Sequence, residues 1–202
     1  MRDTIYFLVF DGFADWQAAL ALCEVRRPGD WQVATVGFTR APVRSMGGLM
    51  VQPELSLAEL DFAHAALAIV PGGHLWQRGE GAAAVAALRQ LHGAGSVVAG
   101  IDSGVLALAR SGLLDQRRHT GNWAGQLAAQ VPGYRGTEQF DAEMLAVSDD
   151  GVISASHLGS IEFAREVIHT LDLYSATDRA DWYRLFKHAQ LPPWCVGEAV
   201  AA

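Results

Sequence analysis

Three short apolar runs constrain the fold more than any other feature of the chain: Ile5 to Phe10, Ala65 to Val70 and Val97 to Ile101. Each is as long as a strand and ends on turn residues, at Asp11-Gly12, Pro71-Gly72-Gly73 and Asp102-Ser103-Gly104 respectively. A continuous apolar run has no polar face to leave in water, so a strand of this kind is covered on both sides. Between the runs the pattern changes to helical spacing, which predicts helices over about Ala14 to Val25 and Ala82 to Leu91. Strands and helices alternating at this spacing predict βαβ units, and so an α/β fold with a mostly parallel sheet and helices on both faces.

The remaining segments extend the same scheme. Trp31 to Gly37 alternates as a further strand, and Val43 to Met46 with Leu49 to Val51 flank Gly47-Gly48 as a small hairpin. Leu145 to Val147 and Val152 to Ala155, joined across Ser148-Asp149-Asp150-Gly151, form a second hairpin. Later helices are expected after Thr120-Gly121-Asn122-Trp123, from about Leu158, and over Arg179 to His188. With 202 residues, half of them hydrophobic, the chain suits one substantial core. We expect a single domain over residues 1–190, followed by an irregular tail over 191–202 that opens at Pro192-Pro193.

Charge and cysteine usage exclude several function classes. The formal net charge is -7, and Lys and Arg form no run beyond Arg26-Arg27 and Arg117-Arg118, which argues against nucleic acid or an anionic membrane as partner. No apolar stretch approaches the ~20 residues of a membrane span, and Met1-Arg2-Asp3-Thr4 leads directly into a strand, so a cytoplasmic location is expected. Cys23 and Cys195 fall in no motif, and the seven histidines lack metal-ligand spacing; no metal and no cofactor are expected. The expected partner is a small molecule, or another protein.

The stretch SVVAGIDSGVLALA, residues 96–109, carries the most chemistry. Its strand breaks into a helix at Asp102, and Gly100 and Gly104 complete a G-x-D-x-G pattern, that of a nucleophile elbow with aspartate in the serine position. Small flanking residues let strand and helix close around a strained, exposed central side chain. Asp102 also suits a plain helix N-cap, as does Ser103, and the stretch alone leaves both readings open. In parallel sheets, ligands bind beyond the carboxyl ends of the strands, where three loops should converge. They bring Asp11, Asp15, Trp16 and Gln17, then Gly72, Gly73 and His74, then Asp102 and Ser103, with the amides of Gly73 and Ser103 as possible oxyanion donors.

Five segments together resemble the DJ/ThiJ/PfpI superfamily of class I glutamine-amidotransferase-like proteins: VFDGFADWQAA (9–19), SMGGLMVQP (45–53), AIVPGGH (68–74), LALARSGLLDQRRHTGNW (106–123) and ISASHLGSIEFAREVI (153–168). The resemblance implies a flavodoxin-like three-layer sandwich, commonly a homodimer, with amidase, protease-like, glyoxalase, hydratase and chaperone-like relatives. It also implies a divergent site. The family's elbow cysteine matches Asp102, the glutamate beside that cysteine matches Gln17, and a histidine after the elbow helix matches Asn122, with His119 a second possible register. An anionic thiolate against a protonated glutamate would thus become an anionic carboxylate against a neutral amide donor, which avoids two carboxyls competing for one charge.

Two functional readings follow. In one, Asp102 is nucleophile or general base of a hydrolase, amidase or hydratase, Gln17 orients it, and His74, His119 or His157 supplies any second base. Asp15, Trp16, Gly73, His74 and Ser103 then contact substrate, and Trp16, Trp76 and Trp123 are possible apolar walls. In the other, the same pocket binds a ligand or serves as scaffold without turnover.

Overall fold

The computed structural model describes residues 3–196. Nine strands and eight helices follow in chain order: β1 (Thr4–Leu8), α1 (Ala19–Arg26), β2 (Gln32–Gly37), β3 (Val43–Arg44), β4 (Met50–Val51), β5 (Leu55–Ser56), β6 (Ala65–Val70), α2 (His74–Gln77), α3 (Ala82–Gly93), β7 (Val97–Ile101), α4 (Gly104–Arg110), α5 (Ala124–Gln130), β8 (Ala146–Asp149), β9 (Val152–Ala155), α6 (Ser160–Thr170), α7 (Ala176–His188) and α8 (Pro193–Val196). Seven strands form one sheet in the order β5-β2-β1-β6-β7-β9-β8, and β3 and β4 make a separate antiparallel pair. Every pairing in the large sheet is parallel except β8 with β9.

The apolar runs behave as their composition requires. All six residues of β6 are buried, as are four of the five in β1 and in β7. Helix α6 packs on α1 and on α7, and α2 and α3 pack on α4, giving two helical groups around the sheet of a flavodoxin-like α/β sandwich. The central strands run β2-β1-β6-β7-β9, so the chain direction across the sheet reverses between β1 and β6. Loops leaving the carboxyl ends of β1 and β6 splay apart there and open a crevice. The turn after β7 adjoins it.

Local structure departs from the sequence expectation in four places. The first helix begins at Ala19 instead of Ala14, because the preceding segment gives its backbone to neighbouring loops: Ala14 N–H donates to Gly72 O at 2.9 Å and Phe13 O accepts from Met46 N–H at 2.8 Å. The two-residue edge strand β5 and the single turn α2 carry no periodicity long enough to read. Residues 193–196 form the short helix α8 where an irregular tail is expected, and the tail beyond 196 lies outside the described residues. No helix among the described residues is long and apolar enough to cross a membrane.

Candidate functional site at the Asp102 elbow

Asp102 is the first residue after β7, and its backbone sits in the left-handed region at φ 57°. A non-glycine residue there costs roughly 1 to 3 kcal/mol unless its surroundings fix it. They do. Asp102 N–H donates to Ala155 O at the end of β9 at 2.9 Å, and Val105 N–H closes the turn onto Asp102 O at 3.1 Å. Close packing at the flanking glycines completes the elbow, since a Cβ on Gly104 would collide with Val70 O and one on Gly100 would press into Leu108. The aspartate side chain does not cap α4; it turns toward the β1 and β6 loops.

Gln17 and Asn122 meet it there. Gln17 Nε2 donates to Asp102 Oδ2 at 3.0 Å, and Asn122 Nδ2 donates to Asp102 Oδ1 at 2.7 Å. Gln17 is itself fixed, because its Oε1 accepts the Gly72 N–H at 2.7 Å and its side chain is buried. Its amide thus reads a backbone donor with one end and the carboxylate with the other. Only glycine fits at position 72, where a Cβ would collide with Asp102 Oδ2 and crowd Gln17 Oε1. Both neighbours of the carboxylate are neutral donors, the complement of an acceptor-only group. Ser103 Oγ makes a longer contact of 3.5 Å with Asp102 Oδ2, whereas Oδ1 has Asn122 alone and keeps a further lone pair, and Asp102 is only partly covered.

A second line of contacts leaves Asn122. Its Oδ1 accepts from His157 N–H at 2.9 Å and lies 3.0 Å from His157 Nδ1, so the exposed imidazole is one amide away from Asp102. That link has no sequence signature, since 35 residues separate its ends.

Other expected site residues are placed elsewhere. His119 is fully buried, with Nδ1 at 2.7 Å from Arg117 O and Nε2 at 2.6 Å from Tyr134 Oη, between the Tyr134 and Phe140 rings. Asn122, not His119, therefore faces the elbow. His74 is exposed and bonded to Gln77 at 2.9 Å. Asp15 accepts from Ser45 Oγ at 2.6 Å and, with Asp11 accepting the Arg44 N–H at 2.9 Å, anchors the β3-β4 hairpin over the loop after β1. Trp76 is no pocket wall: it is buried edge-on to Phe10 with its indole N–H on Pro71 O at 2.9 Å. Trp16 and Trp123 are both more than half exposed. The expected oxyanion pair is not preformed, because Gly73 N–H already donates to the buried Ser103 Oγ at 2.8 Å.

Burial pushes the His119 imidazole below its usual value, against the opposing effect of its bond to Arg117 O, and the Tyr134 phenol is pushed up to about 12 by burial and by the Asp115 charge. Below its ordinary value of about 6.5 the unfolded imidazole binds a proton that the folded one does not. Stability from this group is therefore complete above that value and is lost as pH falls toward the lower folded value. Relative to His119→Gln, the parent should lose stability as pH drops from about 8 to about 5. Urea midpoints check this, and a parent–variant difference that stays constant over the range would contradict it.

Comparison with known proteins agrees with this fold. The family model described as the DJ-1/PfpI family matches residues 3–170. The chain is 30% identical over 190 residues to "Uncharacterized protease YoaZ" of Bacillus subtilis, spanning 91% of this chain and 90% of that protein. It is 27% identical over 166 residues to "Uncharacterized protease YdeA" of the same organism, spanning 82% of each. Among solved structures, the DJ-1 superfamily protein Atu0886 from Agrobacterium tumefaciens matches with a TM-score of 0.85 at 30% identity, over 93% of this chain and 100% of that one. A thiJ/pfpI family protein from Bacillus anthracis matches with a TM-score of 0.87 at 29% identity, over 94% and 93%. Fold and sequence match agree, and the chain belongs to the DJ-1/PfpI family.

Proposed function

We propose that this chain is a small-molecule hydrolase or hydratase in which the Asp102 carboxylate replaces the thiolate of cysteine-dependent relatives. The observation that carries the reading is the Gln17 bridge, from Gly72 N–H at 2.7 Å to Asp102 Oδ2 at 3.0 Å. A protonated glutamate in that place would accept from Gly72 and donate to an anion; the amide does the same without titrating. General-base action suits the geometry better than ester formation. A base needs one open lone pair to take a proton from water as its oxygen adds to a carbonyl, amide or nitrile carbon. A covalent ester would need a second base beside it; His119 and His74 are committed elsewhere, and His157 is bonded to Asn122 and not to Asp102. The names of YoaZ and YdeA favour hydrolysis of amide-like bonds as the first class to test. We place the protein in the cytoplasm as a homodimer with a small-molecule substrate. Exposed Trp16 after β1 and exposed Met46, Leu49 and Met50 of the β3-β4 hairpin favour a covered surface there.

A non-catalytic ligand-binding or scaffold role is the second reading, favoured by one specific contact: Ser103 Oγ occupies the Gly73 amide that an oxyanion would use.

Thiol chemistry separates the carboxylate reading from a cysteine mechanism. Cys23 and Cys195 are free and exposed, and they lie within α1 and α8, whereas the elbow position, where a helix N-terminus would activate a thiol, is held by Asp102. Turnover of small amides, esters, aldehydes or nitriles should survive complete alkylation with iodoacetamide. Rapid alkylation of one cysteine with parallel loss of turnover would overturn the assignment of Asp102.

A further inference from the structure

Away from the elbow, a cavity of about 380 Å³ opens between the carboxyl end of α1, helix α7 and the turn α8. It shares no residue with the Asp102 site. Its walls include four aromatic side chains, Tyr174, Trp182, Phe186 and Trp194, and its charged groups are Glu24, Arg27 and Asp178. The volume falls in the range of small-molecule sites, roughly 300 to 1,000 Å³.

Three features define what would fit. First, the lining charges sum to one net negative, and the single cation is committed: Arg27 Nη2 donates to Glu24 Oε1 at 2.9 Å, while Tyr174 Oη donates to Glu24 Oε2 at 2.8 Å. Asp178 uses only Oδ2 within the described residues, accepting from Ser175 Oγ at 2.7 Å, so Oδ1 is open to a ligand. Second, Trp182 and Phe186 stand with ring centroids 4.8 Å apart, and Phe186 and Trp194 are both partly exposed, so aromatic surface is on offer at the rim. The negative faces of such rings attract a poorly hydrated cation. Third, Trp182 is buried to 4% exposure, yet its indole Nε1–H has no acceptor among the described residues. A buried N–H normally has one, and a ligand oxygen would supply it.

We propose that this cavity binds a small organic cation of the substituted-ammonium class that carries an acceptor oxygen. The ammonium group lies against the Phe186 and Trp194 rings beside Asp178, and the oxygen takes the Trp182 N–H. An organic anion is disfavoured by the net negative lining.

Choline and its neutral carbon isostere 3,3-dimethylbutan-1-ol test this directly, because they share shape and hydroxyl and differ in charge. Calorimetric titration of the full chain should give saturable choline binding at least about tenfold tighter than the alcohol. Trp194→Ala and Asp178→Asn alter side chains at the cavity rim and should each weaken choline binding about five- to tenfold, with unchanged urea midpoints showing that the fold is intact. Equal affinity for the two probes would overturn the proposal by reducing the cavity to an apolar pocket. Absence of saturable choline binding, or choline affinity unchanged in both variants, would overturn it as well.

Discussion

Asp102→Asn should reduce kcat/KM for any hydrolytic or hydration reaction of this protein at least about 100-fold, the scale of lost general-base catalysis. The substitution suits the question because it leaves the backbone demand satisfied: asparagine enters the left-handed region more readily than other non-glycine residues, so the elbow at φ 57° survives. What changes is the hydrogen-bond pattern. In the parent, both oxygens accept, one from Asn122 Nδ2 and one from Gln17 Nε2. In the variant, an NH₂ group replaces one acceptor and confronts a donor that is already oriented. The orphaned donor adds a stability cost of about 1 to 3 kcal/mol, so turnover must be compared where both proteins are fully folded. A scaffold role predicts that same stability cost with no corresponding loss of a measured activity. Retained turnover in a folded Asp102→Asn protein would contradict the base assignment.

How much of this was legible in the sequence differs from one residue to the next. The strands β6, β7 and β9 are bounded where their apolar runs end, because a fully buried strand and its terminating turn are both local signals. The elbow is legible for the same reason, since Gly100 and Gly104 flank Asp102 within five residues. Its partners are not local. Gln17 lies 85 residues from Asp102 and Asn122 lies 20 away, so only the family resemblance pairs them with the elbow. Residues 119–122 illustrate the limit: His119 and Asn122 are equally plausible by type, and the chain decides between them by burying His119 against Tyr134 and Phe140. The start of α1 shifts because the Phe13 carbonyl and the Ala14 amide find tertiary partners that no local pattern encodes. Ser103 blocks the Gly73 amide by a contact across 30 residues, which the elbow motif alone does not reveal.

Gln17 meets Asp102 as a neutral donor to a carboxylate, and Gln17→Glu tests that pairing. A protonated glutamate at position 17 reproduces the parent contacts, with its carbonyl accepting from Gly72 and its hydroxyl donating to Asp102. An ionised one places two carboxylates about 3 Å apart in a largely buried crevice. The pair therefore keeps a proton, and at least one carboxyl of the folded variant titrates above its unfolded value. A raised folded value fixes the sign of the effect. The variant matches the parent in acid, then loses stability as pH rises through the unfolded glutamate value of about 4.3 and onward to the raised folded value. One or two pKa units correspond to a relative loss of roughly 1 to 3 kcal/mol by neutral pH. The decisive measurement is the urea midpoint of parent and Gln17→Glu from about pH 4 to about pH 8. A gap that widens with pH is the predicted result, and a gap independent of pH would mean that Gln17 and Asp102 do not form the pair on which the site is built.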